Sequence, residues 1–217
     1  MIRVVVFDFD GTLVDSNSIK DRCLTKAVAD VRGGPVALAK AKKGGGDRYR
    51  IFDEVSRLLH RGAKSNIIVQ KSRELVDAYS RCCLCGIVAA PERRGARRTL
   101  SALKSRGFHL WVLSATPSVH LNELLRRRGL SRWLSGALGS PLTKEQGLRL
   151  ILRKERVSHN EVLMVGDGFD DLAAARALKM KFAGVVAERR LPVRGRLALP
   201  DMRPLVPQLD QWVVRRH

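Results

Sequence analysis

The apolar positions of the chain fall into two rhythms. Residues 2–7 form a β-branched apolar run, too short for a helix and closed by an acidic turn containing glycine, which predicts a buried strand. From about Asn17 to Glu92 the spacing becomes helical. Ile51, Val55, Leu58 and Leu59 share one helical face, as do Leu75, Val76 and Tyr79, and Gly33-Gly34-Pro35 and Gly44-Gly45-Gly46 break the pattern. This stretch reads as an inserted helical unit. After Pro91, Ala96, Leu100 and Leu103 make an apolar face opposite a basic one built from Arg93, Arg94, Arg97 and Arg98. Strands are then predicted over 110–113, 162–165 and 182–186, separated by helices over 118–128, 144–156 and 171–178. Strand alternating with helix predicts a parallel sheet covered on both faces. A short strand and a helix are expected over 197–216, limited by Pro200, Pro204 and Pro207.

In such a sheet, ligands gather beyond the carboxyl ends of the strands. The residues that follow three of the predicted strands are Asp8-Phe9-Asp10-Gly11-Thr12, Ser114-Ala115-Thr116 and Gly166-Asp167-Gly168-Phe169-Asp170-Asp171. Asp8 and Asp10 start on one face of an extended segment, and two carboxylates so close repel unless a cation or proton separates them. With Asp167 and Asp171 arriving from another strand end, the set calls for a hard divalent ion with oxygen ligands, and magnesium fits. A carboxylate beside a metal-bound phosphate is placed to attack phosphorus, and its neighbour can protonate the leaving oxygen and then activate water. The Ser114 hydroxyl, nearby backbone amides and the Lys144 ammonium are candidate donors to the transferred group.

Composition narrows this reading. Of 217 residues, 41 are Lys or Arg and 21 are Asp or Glu, a formal charge of +20 that attracts anions, whether phosphorylated metabolites or nucleic acid. No aromatic-basic interleaving accompanies the charge, so a nucleic-acid partner is not expected. No apolar run approaches the roughly 20 residues needed to span a bilayer, and the amino-terminal run leads straight into Asp8 rather than a cleavage site, so the chain is read as cytoplasmic with no membrane partner. Cys23, Cys82, Cys83 and Cys85 form no metal set and are expected to be free thiols.

The segment Asp8-Phe9-Asp10-Gly11-Thr12-Leu13-Val14-Asp15-Ser16 resembles the first signature of the haloacid dehalogenase-like hydrolase superfamily. Ser114 in Val112-Leu113-Ser114-Ala115-Thr116-Pro117, then Lys144, then Gly166-Asp167 through Asp171 resemble its remaining signatures in order. The helical insert stands where that family carries a cap. The resemblance implies an α/β fold: a Rossmann-like parallel-sheet core domain at 1–16 and 92–217, and a small α-helical cap domain at 17–91. It further implies Asp8 as nucleophile, Asp10 as acid and base, and Asp8, the Asp10 backbone carbonyl and Asp167 as magnesium ligands. Thr12, Ser114, Ala115 and Lys144 would hold phosphate. Asp171 would orient Lys144 or a metal-bound water, with Asp170 beside it in support, although relatives vary at that position. In the insert, Lys42, Lys43, Arg48 and Arg50 flank the triple glycine, and Arg48 and Arg50 are candidate contacts to an anionic substrate. His60 and His109 read as structural or surface residues.

The expected function is magnesium-dependent hydrolysis of a small phosphomonoester, a phosphorylated metabolite, through an aspartyl-phosphate, as in phosphoglycolate-phosphatase-like members. A dehalogenase would not need Asp10, because halide leaves without a proton, and a phosphonate hydrolase would need a Schiff-base lysine in the cap that has no recognisable place here. Two alternatives stay open. A sugar-phosphate mutase would use the same aspartate pair, and a nucleic-acid-binding protein with a vestigial site would use the charge.

Overall fold

A computed structural model of the chain describes residues 1–186, 191 and 198–214, the last four of these by backbone alone. The described residues divide into two compact units, one formed by residues 1–16 with those described from 90 onward and the other by residues 17–89.

The first unit is built on a six-stranded sheet. Its strands are β1 (Val4–Phe7), β2 (His109–Pro117), β3 (Gly136–Ser140), β4 (Val162–Gly166), β5 (Lys181–Val185) and β6 (Ala198–Leu199). All pair in parallel, in the order β3-β2-β1-β4-β5-β6. The order reverses between β1 and β4, the point at which a doubly wound sheet opens a crevice. Val4 to Phe7 are all buried, as a central strand covered on both faces requires.

Around the sheet lie α5 (Ala96–Ser105), α6 (Ser118–Arg127), α7 (Lys144–Glu155), α8 (Phe169–Ala177) and α9 (Leu205–Val214). One side of the core joins Val4, Val6, Trp111, Leu113, Val162 and Met164 of the sheet to Leu148 and Ile151 of α7 and Leu172 and Ala175 of α8. Helices and strands thus fall where the apolar rhythm places them, within two residues at most ends. The exception is β3, which has no counterpart in that rhythm: its sequence, Gly-Ala-Leu-Gly-Ser, carries no β-branched or aromatic residue, and it forms because β2 offers an unpaired edge. Of the expected tail, Leu197 and residues 215 and 216 lie outside the described residues.

The second unit is helical: α1 (Asn17–Val28), α2 (Gly34–Lys43), α3 (Arg48–Leu59) and α4 (Ser65–Val88). Its core gathers Cys23, Leu24 and Val28 of α1, Leu38 of α2, Phe52 and Val55 of α3 and Tyr79 and Ile87 of α4. Phe52 and Tyr79 meet edge to face with centroids 5.8 Å apart. Contrary to the free-thiol expectation, Cys23 and Cys82 are joined in a disulfide that ties α1 to α4 across 59 residues, while buried Cys83 and exposed Cys85 remain free. The pairing had no local signal, because it depends on the packing of two helices distant in sequence.

Among the described residues no helix is long and apolar enough to cross a membrane.

Candidate active site

Strand register places the first two carboxylates. Phe7 of β1 is aligned with Val165 of β4, and the Asp8 amide donates to the Val165 carbonyl at 2.8 Å. The chain therefore leaves two neighbouring parallel strands at nearly the same height, with Asp8 at one exit and Asp167 at the other. Asp171 follows from the first turn of α8, where one of its oxygens accepts the Gly168 amide at 3.0 Å. A β-carbon at position 166 would come within 2.6 Å of the Asp171 β-carbon, so only glycine lets this carboxylate lie against the end of β4.

Lys144 opens α7, whose first turn is fixed by a capping box between Thr143 and Gln146. Its ammonium donates to the Asp8 carboxylate and to the Leu113 carbonyl at 2.5 Å, and lies 2.8 Å from Asp171 Oδ1. A cation at a helix N-terminus opposes the helix dipole, and here two buried carboxylates more than offset it.

Asp10 faces a different set of partners. Its Oδ1 accepts from the Ser16 hydroxyl at 2.7 Å, and its Oδ2 accepts from Thr116 Oγ1 at 2.9 Å and Ser114 Oγ at 3.3 Å. Ser114 Oγ in turn accepts the Thr116 amide at 3.1 Å. These residues lie where the β2–β3 register shifts, between Leu113 and Pro117, an irregularity of the kind that re-aims side chains. Thr12 is buried and donates its hydroxyl to Asp167 at 3.2 Å.

Burial dominates the electrostatics. It raises the Asp8 pKa, against the pull of Lys144 and with the help of the Asp171 and Asp10 charges, to about 7. Asp171 is likewise raised, first by burial and against Lys144. For Lys144, burial alone would lower the pKa, but the Asp8 and Asp171 charges outweigh it and hold the amine protonated. Asp8, Asp167 and Asp171 each place one carboxylate oxygen within 4.8 Å of the others, all buried. An oxygen-only donor set with a surplus of buried negative charge suits a hard divalent cation.

The structure thus brings together Asp8, Asp167, Asp171 and Lys144, with Thr12 on Asp167 and Ser114 on Asp10. The Asp10 carboxylate is not in the three-carboxylate group. Ala115 and Asp170 are exposed beside these segments. In the helical unit, the Arg48 guanidinium stacks over Tyr49 at 5.0 Å and Tyr79 at 5.9 Å, and exposed Arg50 gives its amide to the Asp47 cap. His109, expected to be structural or at the surface, is exposed and lies 2.6 Å from Glu155.

Sequence reasoning gave no role to Ser16 and Thr116, the closest partners of Asp10, although both lie inside the signature segments. It also missed Arg93, which donates to the Gly11 carbonyl at 3.1 Å and lies 3.4 Å from Asp15. Together with the Arg93 amide on Leu13 and the Asp15 amide on Pro91, both at 2.9 Å, it clamps the loop that carries Asp8 and Asp10.

The model of the haloacid dehalogenase-like hydrolase family matches residues 2–179. A phosphoglycolate phosphatase of Yersinia pestis is 32% identical over 187 residues, covering 81% of this chain and 77% of that protein. Phosphoglycolate phosphatase 1 of Pseudomonas aeruginosa is 24% identical over 220 residues, covering 96% and 80%. Among solved structures, a predicted phosphoglycolate phosphatase from Haemophilus somnus superposes with a TM-score of 0.77 at 21% identity, covering 96% of this chain and 98% of that one.

Proposed function

The chain belongs to the haloacid dehalogenase-like hydrolase family and is a phosphatase, and from that premise we propose that it hydrolyses a small phosphomonoester with magnesium, through a phosphoryl group carried on Asp8. The observation that carries the proposal is the juxtaposition of Asp8 with Asp167 at adjacent strand ends, with one lysine bridging Asp8 and Asp171.

In this reading Asp8 Oδ attacks phosphorus, a phosphorus–oxygen bond forms as the ester bond breaks, and Asp10 gives its proton to the departing alkoxide. Asp10, now a carboxylate, takes a proton from water as that water attacks the acyl phosphate, releasing inorganic phosphate and restoring Asp8. The hydroxyls of Ser16 and Thr116 hold Asp10 in one orientation for both proton transfers. Lys144, Ser114, Thr12 and the amide at Ala115 are assigned to the phosphoryl oxygens, and Asp171 with Asp170 to supporting Lys144 and the metal shell. Magnesium would be held by Asp8, the Asp10 carbonyl and Asp167, next to Asp171, and would supply neutralising charge for the meeting of a carboxylate with a phosphate.

We assign residues 17–89 as the cap, with Arg48 and Arg50 selecting an anionic substrate, and the cytoplasm as the site of action. The names of the curated relatives make 2-phosphoglycolate the first compound to test.

The test is phosphate release from a panel of phosphorylated metabolites and an aryl phosphate, with and without magnesium, for wild type and Asp8→Asn. Release that needs magnesium and is lost in Asp8→Asn is the expected outcome. Full turnover by Asp8→Asn would remove the nucleophile assignment, and conversion of a hexose phosphate without phosphate release would replace hydrolysis with mutase chemistry.

A further inference from the structure

A second concavity in the sheet-bearing unit shares none of the acidic residues. It is an open hollow of about 670 Å³ whose lining includes Glu92, Arg93, Arg94, Arg97, Arg98, Trp133 and Arg203. Five arginines and one glutamate contribute to the lining, the Arg93 guanidinium being turned to Gly11 and Asp15, and the volume lies within the roughly 300–1,000 Å³ of small-molecule sites.

The carboxylates nearby are already engaged. Glu92 takes two bonds from Arg97 and has Arg128 at 3.8 Å, and Asp201 takes the Arg203 guanidinium at 2.7–3.0 Å. Arg94 and Arg98 are exposed and, among the described residues, have no carboxylate within ion-pair distance. Both adjoin the start of α5, which has no side-chain cap and no acidic residue in its first turn, although the helix dipole favours negative charge there.

The walls are tied together. The Thr99 hydroxyl donates to the Met202 carbonyl at 2.8 Å, and the Met202 amide to the Arg94 carbonyl at 3.0 Å. Gly95 has a positive φ of 84°, and a β-carbon there would come within 2.6 Å of Arg203 Cγ, so glycine is what lets Arg203 close the cavity. Concentrated positive charge at an uncapped helix start costs stability unless an anion is present.

We propose that this cavity is a binding site for a small oligophosphate, a phosphoanhydride chain of two or more phosphoryl groups, free or carried on a nucleotide. Guanidinium forks match phosphate oxygens in pairs, and their spread around one cavity suits several phosphoryl groups better than one. The cavity contains no carboxylate cluster like that around Asp8, so the ligand is held there and not cleaved.

The test is calorimetric titration of the full chain in chelator at constant ionic strength with tripolyphosphate, adenosine triphosphate and orthophosphate, for wild type and an Arg94→Gln/Arg98→Gln double variant. Both oligophosphates should bind at least tenfold more tightly than orthophosphate, and the double variant should lose at least tenfold in that affinity. Its melting temperature and phosphatase activity should stay near wild-type values, because among the described residues neither exposed side chain is held in an ion pair within 4 Å and neither has a place in the acidic site. Triphosphate binding without tripolyphosphate binding would overturn the oligophosphate assignment. Binding unchanged in the double variant would place the anion elsewhere. Tight binding of a single-stranded RNA oligomer that tripolyphosphate fails to displace would make the cavity part of a macromolecular surface and overturn the proposal.

Discussion

Lys144 lies 2.8 Å from Asp171 and donates to Asp8, so one ammonium balances two buried carboxylates from different strand ends. Replacing it by alanine leaves like charges side by side without water. Lys144→Ala is expected to lose about 3–5 kcal/mol of stability at pH 8. The loss should be smaller at pH 5.5, where Asp8, with its pKa of about 7, is protonated. Denaturant unfolding at the two pH values measures this, and phosphate release should fall at least 100-fold, within the range of about 10²–10³ for loss of one preorganised donor.

The raised Asp8 pKa also sets a competition between proton and metal. Folding lifts this carboxyl above its ordinary value, so between pH 4 and 7 the folded chain holds a proton that the unfolded chain releases, and the contribution of Asp8 to stability falls as pH rises through that window. A metal ligand must be ionised, so magnesium should bind about tenfold more weakly at pH 6 than at pH 8. Titration calorimetry without substrate reads the ratio, and equal affinity at both pH values would count against Asp8 as a ligand.

Thr116→Val keeps the shape of the side chain and removes the hydroxyl 2.9 Å from Asp10. In the proposed mechanism, misorienting Asp10 should cost about 1.4 kcal/mol, roughly tenfold in turnover, on an alkyl phosphate whose leaving group needs a proton. An aryl phosphate, with a better leaving group, should lose far less. Equal losses on both esters would assign Thr116 to the phosphoryl group instead.

Gly166→Ala should displace Asp171 and break its bond with the Gly168 amide. A loss of about 1–3 kcal/mol is expected for overpacking at this position. Phosphate release should drop while the far-ultraviolet circular dichroism stays that of the folded chain.

The unreduced chain should show two reactive thiols after unfolding, and four after reduction, since Cys23 and Cys82 are paired. Opening a bridge across 59 residues should destabilise the helical unit by about 4 kcal/mol on a chain-entropy estimate. Thermal melts with and without reductant, and of Cys23→Ala, test it.

The alternating part of the fold was legible because buried parallel strands and amphipathic helices write their periods directly into the residues. The acidic set was legible because short signature segments carry it: Asp8, Asp167, Asp171 and Lys144 come together in the folded chain. What escaped depends on partners remote in sequence. The strand β3 exists by virtue of the β2 edge, the Cys23–Cys82 bond by helix packing, and the grip of Thr116 on Asp10 by a register shift in β2. The arginine cavity was visible only as a basic helix face, since Trp133 and Arg203 join it from segments that no periodic pattern connects to α5.

The Asp8 amide bonded to the Val165 carbonyl means that the gauge of the acidic site is the main chain itself. Peptide groups are common to every sequence, so the apolar residues of β1 and β4 can be exchanged among themselves without resetting the separation of the two carboxylates. Chemistry mounted on such a frame tolerates wide drift in its surroundings.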